Sequence, residues 1–270
     1  MSFYTSLSGL KNAQTDINVI SHNIANAETA GFKKSAASFA DVVASSVLTN
    51  PSLTVGIGST VQAITQNFSL GPITQTGSAL DLTINGDGFF TAISPSSGNA
   101  VYTRAGAFEI DGKGYIVNKS LDRLAAFPTS PTGTITSTTP GPLQIPLTNA
   151  AGAQFSGVSV STTGAVSAAY GDGTNSVVGA VAIASFTSPQ GLKQLGSSSW
   201  QSTGLSGSAT YNAPGTGPAG PLLSGALEQS NVDLGEELVS LITAQSYFQA
   251  NSKAIDTSQQ LLQTVIQLRG

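Results

Sequence analysis

The N-terminal part of the chain carries apolar residues at helical spacing. From about Ser2 to Asn26, intervals of three or four residues separate Leu10, Ala13, Ile17, Ile20, Ile24 and Ala27. Such a narrow apolar stripe is typical of a helix that packs against another helix. Gly31 follows as a stop signal. The pattern predicts an amphipathic helix at this end.

The C-terminal part carries a longer stripe. Asp233 is a predicted N-cap, with Glu236 three residues later completing a capping box. A first apolar row follows: Leu234, Leu238, Leu241, Phe248, Ile255, Leu262 and Ile266. A second row widens it: Val239, Ile242, Leu261, Val265 and Leu268. From Asp233 to Leu268 a straight helix would extend about 54 Å. Because it is apolar and lightly charged, it needs partners along most of its length.

The middle of the chain has the pattern of β-strands and turns. Leu80, Leu82 and Ile84 alternate with polar residues, and turn sequences occupy positions 85–88 and 111–114. Another hairpin is predicted around Val158–Val166, and a longer apolar strand over Val177–Phe186. Loops are predicted at 129–142 and 202–221, where Pro, Gly, Ser and Thr dominate.

These patterns predict an α+β fold in which the two terminal helices pair as a coiled-coil-like inner domain. Extended linkers join this inner domain to a mainly antiparallel β domain. The predicted boundaries are 1–30 plus 233–270 for the helical domain, 31–76 for an extended linker, 77–220 for the β domain and 221–232 for a return linker.

Composition narrows the function. Only 9% of the 270 residues are charged, against about a quarter in typical domains, and the net charge is -4. Such a chain has no basic face, so nucleic-acid binding is not expected. The absence of cysteine excludes disulfides and zinc–thiolate sites. We expect no membrane insertion, because no apolar run reaches about 18 residues. We also expect no cleaved secretory signal, which leaves a cytosolic location or export by another route.

No catalytic, cofactor-binding or metal site is predicted. His22 is the only histidine, and it lies on the predicted N-terminal helix. No nucleophile elbow, P-loop or dinucleotide fingerprint occurs.

Four acidic residues could form carboxylate pairs: Asp81 with Asp87, and Glu109 with Asp111. All four lie at strand ends or turns, where acidic side chains commonly form hydrogen bonds with nearby backbone groups. Arg104 and Arg123 could pair with them across strands. We therefore expect a protein that is not an enzyme.

Both ends of the chain carry specific sequence motifs. The N-terminal motif residues are Ser8, Gly9, Leu10, Asn23, Ile24, Ala25, Asn26, Gly31, Phe32 and Lys33. The C-terminal motif runs from Gly225 to Leu234 and includes Ser230, Asn231 and Val232. These motifs resemble those of the bacterial flagellar rod and hook proteins, and segments 85–90 and 102–106 resemble the β domain of that family. The resemblance covers most of the chain and thins between 129 and 174.

Within the family, segments 39–42, 123–128 and 230–234 look more like the hook than the rod. The resemblance then implies a short form of hook subunit, which polymerises into a curved tubular universal joint that passes torque from rod to filament. Many hook proteins carry an extra outer β domain, for which 270 residues leave little room. The alternative is the distal rod protein, a rigid drive shaft. Segment 33–75 should discriminate between the two.

The resemblance also implies the partners and the location. Copies of the chain would form a helical tube that contacts the distal rod, hook cap and hook–filament junction proteins. Subunits would leave the cell through the flagellar type III export apparatus without a cleaved signal, and no cofactor is implied. The predicted self-assembly interface consists of Leu10, Ile17, Ile20, Ile24, Leu234, Leu238, Leu241, Phe248, Ile255, Leu262 and Ile266. A surface adhesin or carbohydrate-binding β protein with helical tails is an alternative of another class.

Overall fold

The computed structural model describes residues 2–43, 56–130 and 133–269. The chain forms two compact units. The helical unit comprises residues 1–27, 34–67 and 232–270, and the β unit comprises residues 28–33 and 68–231. The fold is α+β.

The described residues of the helical unit form two α-helices, α1 (Ser2–Ala25) and α2 (Leu234–Arg269). Asp233 caps α2 as predicted, since its Oδ1 accepts hydrogen bonds from the backbone N–H of Gly235 at 2.8 Å and of Glu236 at 3.1 Å. The helices are antiparallel. Gly9 lies beside Asn251, near the start of α1, and Asn23, near its end, bonds to Glu237.

A long antiparallel hairpin completes the helical unit. It consists of β1 (Ser35–Val43) and β2 (Gly56–Gln66), and both strands lie against α1. The sequence predicted an extended linker over 31–76, whereas the structure pairs two strands within this segment. The hairpin packs on α1 through Ser59, which accepts a hydrogen bond from Asn12 and donates its N–H to Ser8 Oγ at 3.2 Å. The part of the predicted linker at 44–55 lies outside the described residues.

The described residues of the β unit form short strands and a 3₁₀ turn at Pro189–Gly191. The strands are β3 (Ile73–Gln75), β4 (Leu82–Ile84), β5 (Phe89–Ile93), β6 (Ala100–Thr103), β7 (Glu109–Ile110), β8 (Ile116–Val117), β9 (Arg123–Phe127), β10 (Gly141–Pro142), β11 (Phe155–Val160), β12 (Ala165–Tyr170), β13 (Asn175–Val181), β14 (Ile183–Ser185), β15 (Lys193–Gly196), β16 (Ser199–Gln201), β17 (Thr210–Asn212), β18 (Leu222–Ser224) and β19 (Ala226–Glu228). The main sheet has the order β11-β12-β13-β9-β5-β6-β16-β15, with β7, β8, β10, β14 and β17 attached. Two separate ribbons, β4–β18 and β3–β19, are also antiparallel.

Two of the predicted hairpins in the β unit are confirmed. The hairpin β11–β12 pairs Val160 with Val166, and β7–β8 pairs Glu109 with Val117 across the turn at 111–114. The predicted strand over 177–186 is interrupted and forms parts of β13 and β14. Segment 202–221, which was predicted as a loop, contains β17, and segment 221–232, which was predicted as a return linker, contains β18 and β19. Within the predicted loop at 129–142, residues 131 and 132 lie outside the described residues.

Two apolar clusters lie on opposite faces of the main sheet. Phe90 belongs to the larger cluster, with Leu82, Ile116 and Leu124. Its neighbour Phe89 belongs to a smaller aromatic cluster. Successive residues of a strand point to opposite faces, which explains the division. The smaller cluster contains Phe89, Tyr102, Ala184 and Trp200, with Phe68 and Phe186 packed against it. No helix in the described part of the chain is long and apolar enough to cross a membrane.

Candidate functional site

One face of α2 is covered within the helical unit. Its least exposed positions recur every three or four residues: Glu237, Leu241, Ala244, Phe248, Asn251, Ile255 and Ser258. This row contacts α1 directly, since a Cβ added to Gly9 would lie 2.6 Å from Asn251 Oδ1. Three predicted interface residues, Leu241, Phe248 and Ile255, belong to this row.

The predicted stripe of α1 also lies inside the helical unit. Ile20 is buried, and Leu10, Ile17 and Ile24 are half-buried. Within one chain, α1 contacts α2 as well as the strands β1 and β2.

The other large apolar residues of α2 whose side chains the structure describes are exposed. Leu234, Leu238 and Ile242 follow each other at intervals of four residues, so they form one ridge along the helix, which we call the α2 ridge. Their exposed fractions are 47%, 51% and 64%. Val239 beside the ridge, and Ile266 near the C-terminus, are also exposed. The side chains of three more predicted residues lie outside the described part: Leu262, Val265 and Leu268.

Large apolar side chains on one side of a long helix indicate a surface that another molecule covers. Sequence periodicity assigned Leu234, Leu238 and Leu241 to one row. The structure divides that row, because Leu241 belongs to the covered face, whereas Leu234 and Leu238 belong to the α2 ridge.

Asn23 joins three elements of the helical unit. Its side chain is 1% exposed, donates to Ser35 O at 2.8 Å and to Glu237 Oε2 at 3.1 Å, and accepts from Ser35 N at 2.9 Å. Lys34 adds ion pairs to Glu236 at 3.2 Å and to Glu237 at 3.7 Å. The end of α1, the start of β1 and the first turn of α2 are thereby held together.

The negative charge of Glu237 also affects Asp16 on α1. Burial raises the pKa of Asp16 above its ordinary value, and the nearby Glu237 carboxylate raises it further. Other motif residues near this end of the chain make local hydrogen bonds or are exposed. Ser8 Oγ donates to Thr5 O, Asn26 donates to His22 O, and Ala25 is exposed.

Motif residues near the ends of the β unit pack closely. Gly31 has a φ of +68°, and a Cβ there would lie 2.4 Å from Ala105 N, so only glycine fits. Phe32 and Ser230 are buried. The side chain of Asn231 donates to Ser69 O at 3.3 Å. Val232, the first residue of the helical unit after β19, is half-buried.

An ion cluster that the sequence did not predict lies inside the β unit. Lys33, Arg104 and Glu228 are 0%, 2% and 1% exposed. Lys33 Nζ contacts Glu228 Oε1 at 2.5 Å, and Arg104 Nη1 contacts Glu228 Oε2 at 3.3 Å. Lys33 also donates to Ser69 O, and Arg104 donates to Gly86 O.

Desolvation is the main electrostatic effect in this cluster. Burial lowers the pKa of Lys33 and of Arg104 below their ordinary values, and the Glu228 carboxylate opposes the shift in both cases. Asp87, which is exposed, also favours the charged form of Arg104. A carboxylate that serves two buried cations stabilises the fold only if its hydrogen bonds are well placed. Here Oε1 of Glu228 contacts Lys33, and Oε2 contacts Arg104.

This arrangement corrects the expected pairing of the two arginines. Arg104 pairs with Glu228 rather than with a turn carboxylate, and Arg123 stacks on the ring of Tyr115 at 3.9 Å. The only sequence signal was that Lys33 and Glu228 both lie in motif segments of a chain that has few charges.

Two of the four acidic residues considered for catalysis accept hydrogen bonds from residues close to them in the sequence. Asp111 Oδ1 accepts the backbone N–H of Lys113 and of Tyr115, and Asp81 accepts the hydroxyl of Thr76. His22 is exposed on α1. Within residues 2–43, 56–130 and 133–269, no group of three or more His, Asp or Glu side chains could hold a metal ion.

Three family models match successive parts of the chain. "Flagella basal body rod protein" matches residues 3–33, "Flagellar hook protein FlgE/F/G D1 domain" matches residues 83–168, and "Flagellar basal body rod FlgEFG protein C-terminal" matches residues 223–268. The first and third models correspond to α1 and α2, and the second lies in the β unit.

Whole-chain relatives agree with these matches. The flagellar basal-body rod protein FlgG of Bacillus subtilis (strain 168) is 37% identical over 280 residues, covering 99% of this chain and 98% of the relative. FlgG of Caulobacter vibrioides is 33% identical over 278 residues, covering 98% of each chain. The flagellar hook protein FlgE of Salmonella typhimurium is 27% identical over 413 residues, covering 100% of each chain. This chain therefore belongs to the FlgE/F/G family of flagellar basal body rod and hook proteins, which are structural components of the bacterial flagellum.

Proposed function

We propose that this chain is a distal rod subunit, which polymerises into the rigid tubular drive shaft of the flagellar basal body. The observation that carries the proposal is the fit of length and identity to the rod relatives. FlgG of Bacillus subtilis aligns end to end over 280 residues at 37% identity. Alignment with the hook protein of Salmonella needs 413 positions at 27% identity, so about a third of those positions have no counterpart among 270 residues.

The hook, which the sequence motifs favoured, thereby becomes the second candidate. Both candidates share a helical tube of identical subunits, export through the flagellar type III apparatus without a cleaved signal, and a location at the basal body and hook. As a rod subunit, the chain would contact the hook base and neighbouring rod proteins rather than the hook cap.

The surface of α2 supports assembly through the helices. In this proposal, Leu10, Ile17, Ile20 and Ile24 pair with Leu241, Phe248 and Ile255 within one chain, in a coiled-coil-like manner. Leu234, Leu238 and Ile266 then contact neighbouring copies, and the assignment of Leu262 to this interface stays a prediction from the sequence. The predicted interface thus has an internal part and an external part.

The energy available from the external part suits a polymer. Fully burying a Leu or Ile side chain contributes about 1.5–3 kcal/mol. The three residues of the α2 ridge are roughly half exposed, so each contributes roughly 1 kcal/mol when a neighbour covers it. One such contact is too weak to hold a dimer together, but in a tube every subunit makes the same contact, so the contributions add up along the polymer.

A deletion strain separates the two candidates. We expect cells that lack this protein to contain truncated rods without hooks, as seen by electron microscopy of purified basal bodies. Complete rods that lack only hooks would instead identify a hook subunit. Normal rods, hooks and motility would exclude both candidates and leave a surface adhesin.

The α2 ridge is tested by the double variant Leu238→Ser/Ile242→Ser. Because both side chains are exposed, we expect the monomer to unfold at an unchanged temperature, whereas basal bodies should lack the structure this chain builds. A matched control replaces Gln245 and Gln249, exposed on the same helix, by Ser. Normal assembly of the ridge variant would show that the ridge is not an assembly surface.

A further inference from the structure

Three segments of the β unit meet at the ion cluster, and we call them the clasp: residues 28–33, 68–75 and 226–231. Backbone hydrogen bonds link them, from Gly31 N to Glu228 O at 2.8 Å and from Gln229 N to Pro72 O at 2.8 Å. The N–H of Gly71 also donates to Glu228 Oε1 at 3.0 Å. Glu228 is thus bonded to both other segments.

The clasp has little regular structure of its own. Strands β3 and β19 pair over only three residues and form a ribbon separate from the main sheet. An isolated two-stranded ribbon is marginal in water. The segments nevertheless touch closely, since a Cβ at Gly71 would lie 2.2 Å from Gln229 O. The short ribbon alone therefore contributes little to holding the clasp closed.

The ion cluster links two of the clasp segments. Lys33 comes from the first clasp segment, Glu228 from the last, and Arg104 from the end of β6. If Glu228 leaves, two cations lose the carboxylate that both contact while they are almost fully buried. Leaving a buried charge without its partner is strongly unfavourable, so opening one clasp segment favours opening of the others.

We propose that the clasp is a separate cooperative element, locked by Glu228, which opens and closes while the main sheet stays folded. It holds together the two β-unit segments, 28–33 and 226–231, from which the chain continues into the helical unit. Glu228 follows Lys33 by 195 positions and Arg104 by 124 positions. When the chain is synthesised, or passes through a channel, from its N-terminus, Lys33 and Arg104 emerge long before Glu228. The clasp therefore cannot close until almost the whole β unit has emerged.

Amide hydrogen exchange on the full-length monomer tests this proposal, using the N–H groups of Gly31, Gly71 and Gln229 as reporters. Glu228→Gln keeps the shape of the side chain and removes its charge. We expect all three amides to exchange about 100-fold faster together, because local opening exposes them, while strands β5 and β9 stay protected. Lys33→Met leaves one cation with one carboxylate, so we expect a much smaller increase.

The control is Glu236→Gln, which removes the exposed partner of Lys34 and should leave the three amides unchanged. A second variant, Gly71→Ala, opens the clasp by steric contact with Gln229 and should accelerate the same amides without any charge change. Two results would overturn the proposal. One is unchanged exchange in Glu228→Gln, and the other is faster exchange of β5 and β9 to the same extent. Neither outcome depends on whether the chain builds rods or hooks.

Discussion

Asn23→Ala should loosen the helical unit and leave the β unit intact. The Asn23 side chain makes three hydrogen bonds, two with the backbone of Ser35 and one with the Glu237 carboxylate. Alanine makes none of them. The end of α1 would then lose its polar connection to β1 and to the first turn of α2.

The magnitude follows from the partners of Asn23. A neutral hydrogen bond contributes about 1 kcal/mol net, and one to a charged group about 1.5–3 kcal/mol. Two terms reduce the loss. Ser35 is only half-buried, so water replaces part of its bonding, and alanine gains about 0.6 kcal/mol of helix propensity over asparagine. We expect a loss of about 2 kcal/mol, or roughly 30-fold in the unfolding equilibrium.

Two optical probes separate the units in one urea titration. Far-ultraviolet circular dichroism reports the helical unit, because α1 and α2 both belong to it. Fluorescence of Trp200, the only tryptophan, reports the β unit, where it packs between Phe68 and Phe89. Asn23→Ala should lower the dichroism midpoint and leave the fluorescence midpoint in place.

Asn18→Ala is the matched control on the same helix. Asn18 is exposed, and its one described side-chain bond is to Gln14 at 3.0 Å, so we expect a change within about 0.5 kcal/mol. Equal midpoints for the two variants would show that the Asn23 network contributes nothing. An equal shift of the Trp200 transition would show that the loss is not confined to the helical unit.

Three further outcomes are expected. Gly31→Ala should lower the fluorescence-monitored stability of the β unit by about 2 kcal/mol or more, since φ is +68° and its Cβ would meet Ala105 N. Asp16→Asn should raise the dichroism midpoint at neutral pH, because burial and Glu237 raise the folded pKa of Asp16 and folding therefore favours its protonated form. That contribution is fully present below pH 3.8 and is lost as the pH rises through the folded pKa, so the advantage of the variant over the natural chain should vanish below pH 3.8. Thr83→Val should raise the free energy of unfolding by about 1 kcal/mol, seen as a higher thermal midpoint, because the buried Thr83 hydroxyl has no hydrogen-bond partner in the described residues.

Features set by neighbouring residues were predictable from the sequence. Asp233 caps α2 because an acidic side chain reaches the N–H groups two and three positions later, which depends on local geometry alone. The turn at Asp111 follows the same logic. Both α1 and the hairpin β11–β12 carry strong local periodicity.

Features set by distant partners were not predictable. Strand β4 precedes a strong turn, yet it pairs with β18 near the end of the β unit, through Ile84 and Leu222. The ion cluster joins Lys33, Arg104 and Glu228, and nothing near any of them indicates its partners. Strands β1 and β2 were interpreted as a linker because local pattern does not reveal the surface of α1 against which they pack.

The division of α2 into two faces shows where periodicity is insufficient. Apolar spacing placed the large residues of α2 in rows, but the face towards α1 includes Ala244, Asn251 and Ser258. Small side chains let two helix backbones approach, so size as well as hydrophobicity decides which face pairs inside the chain. Larger side chains such as Leu238 and Ile242 are then left outside, where a lone monomer gains nothing from them. We therefore propose that copies of the chain cover the α2 ridge, because burying these exposed side chains in an assembly would be favourable.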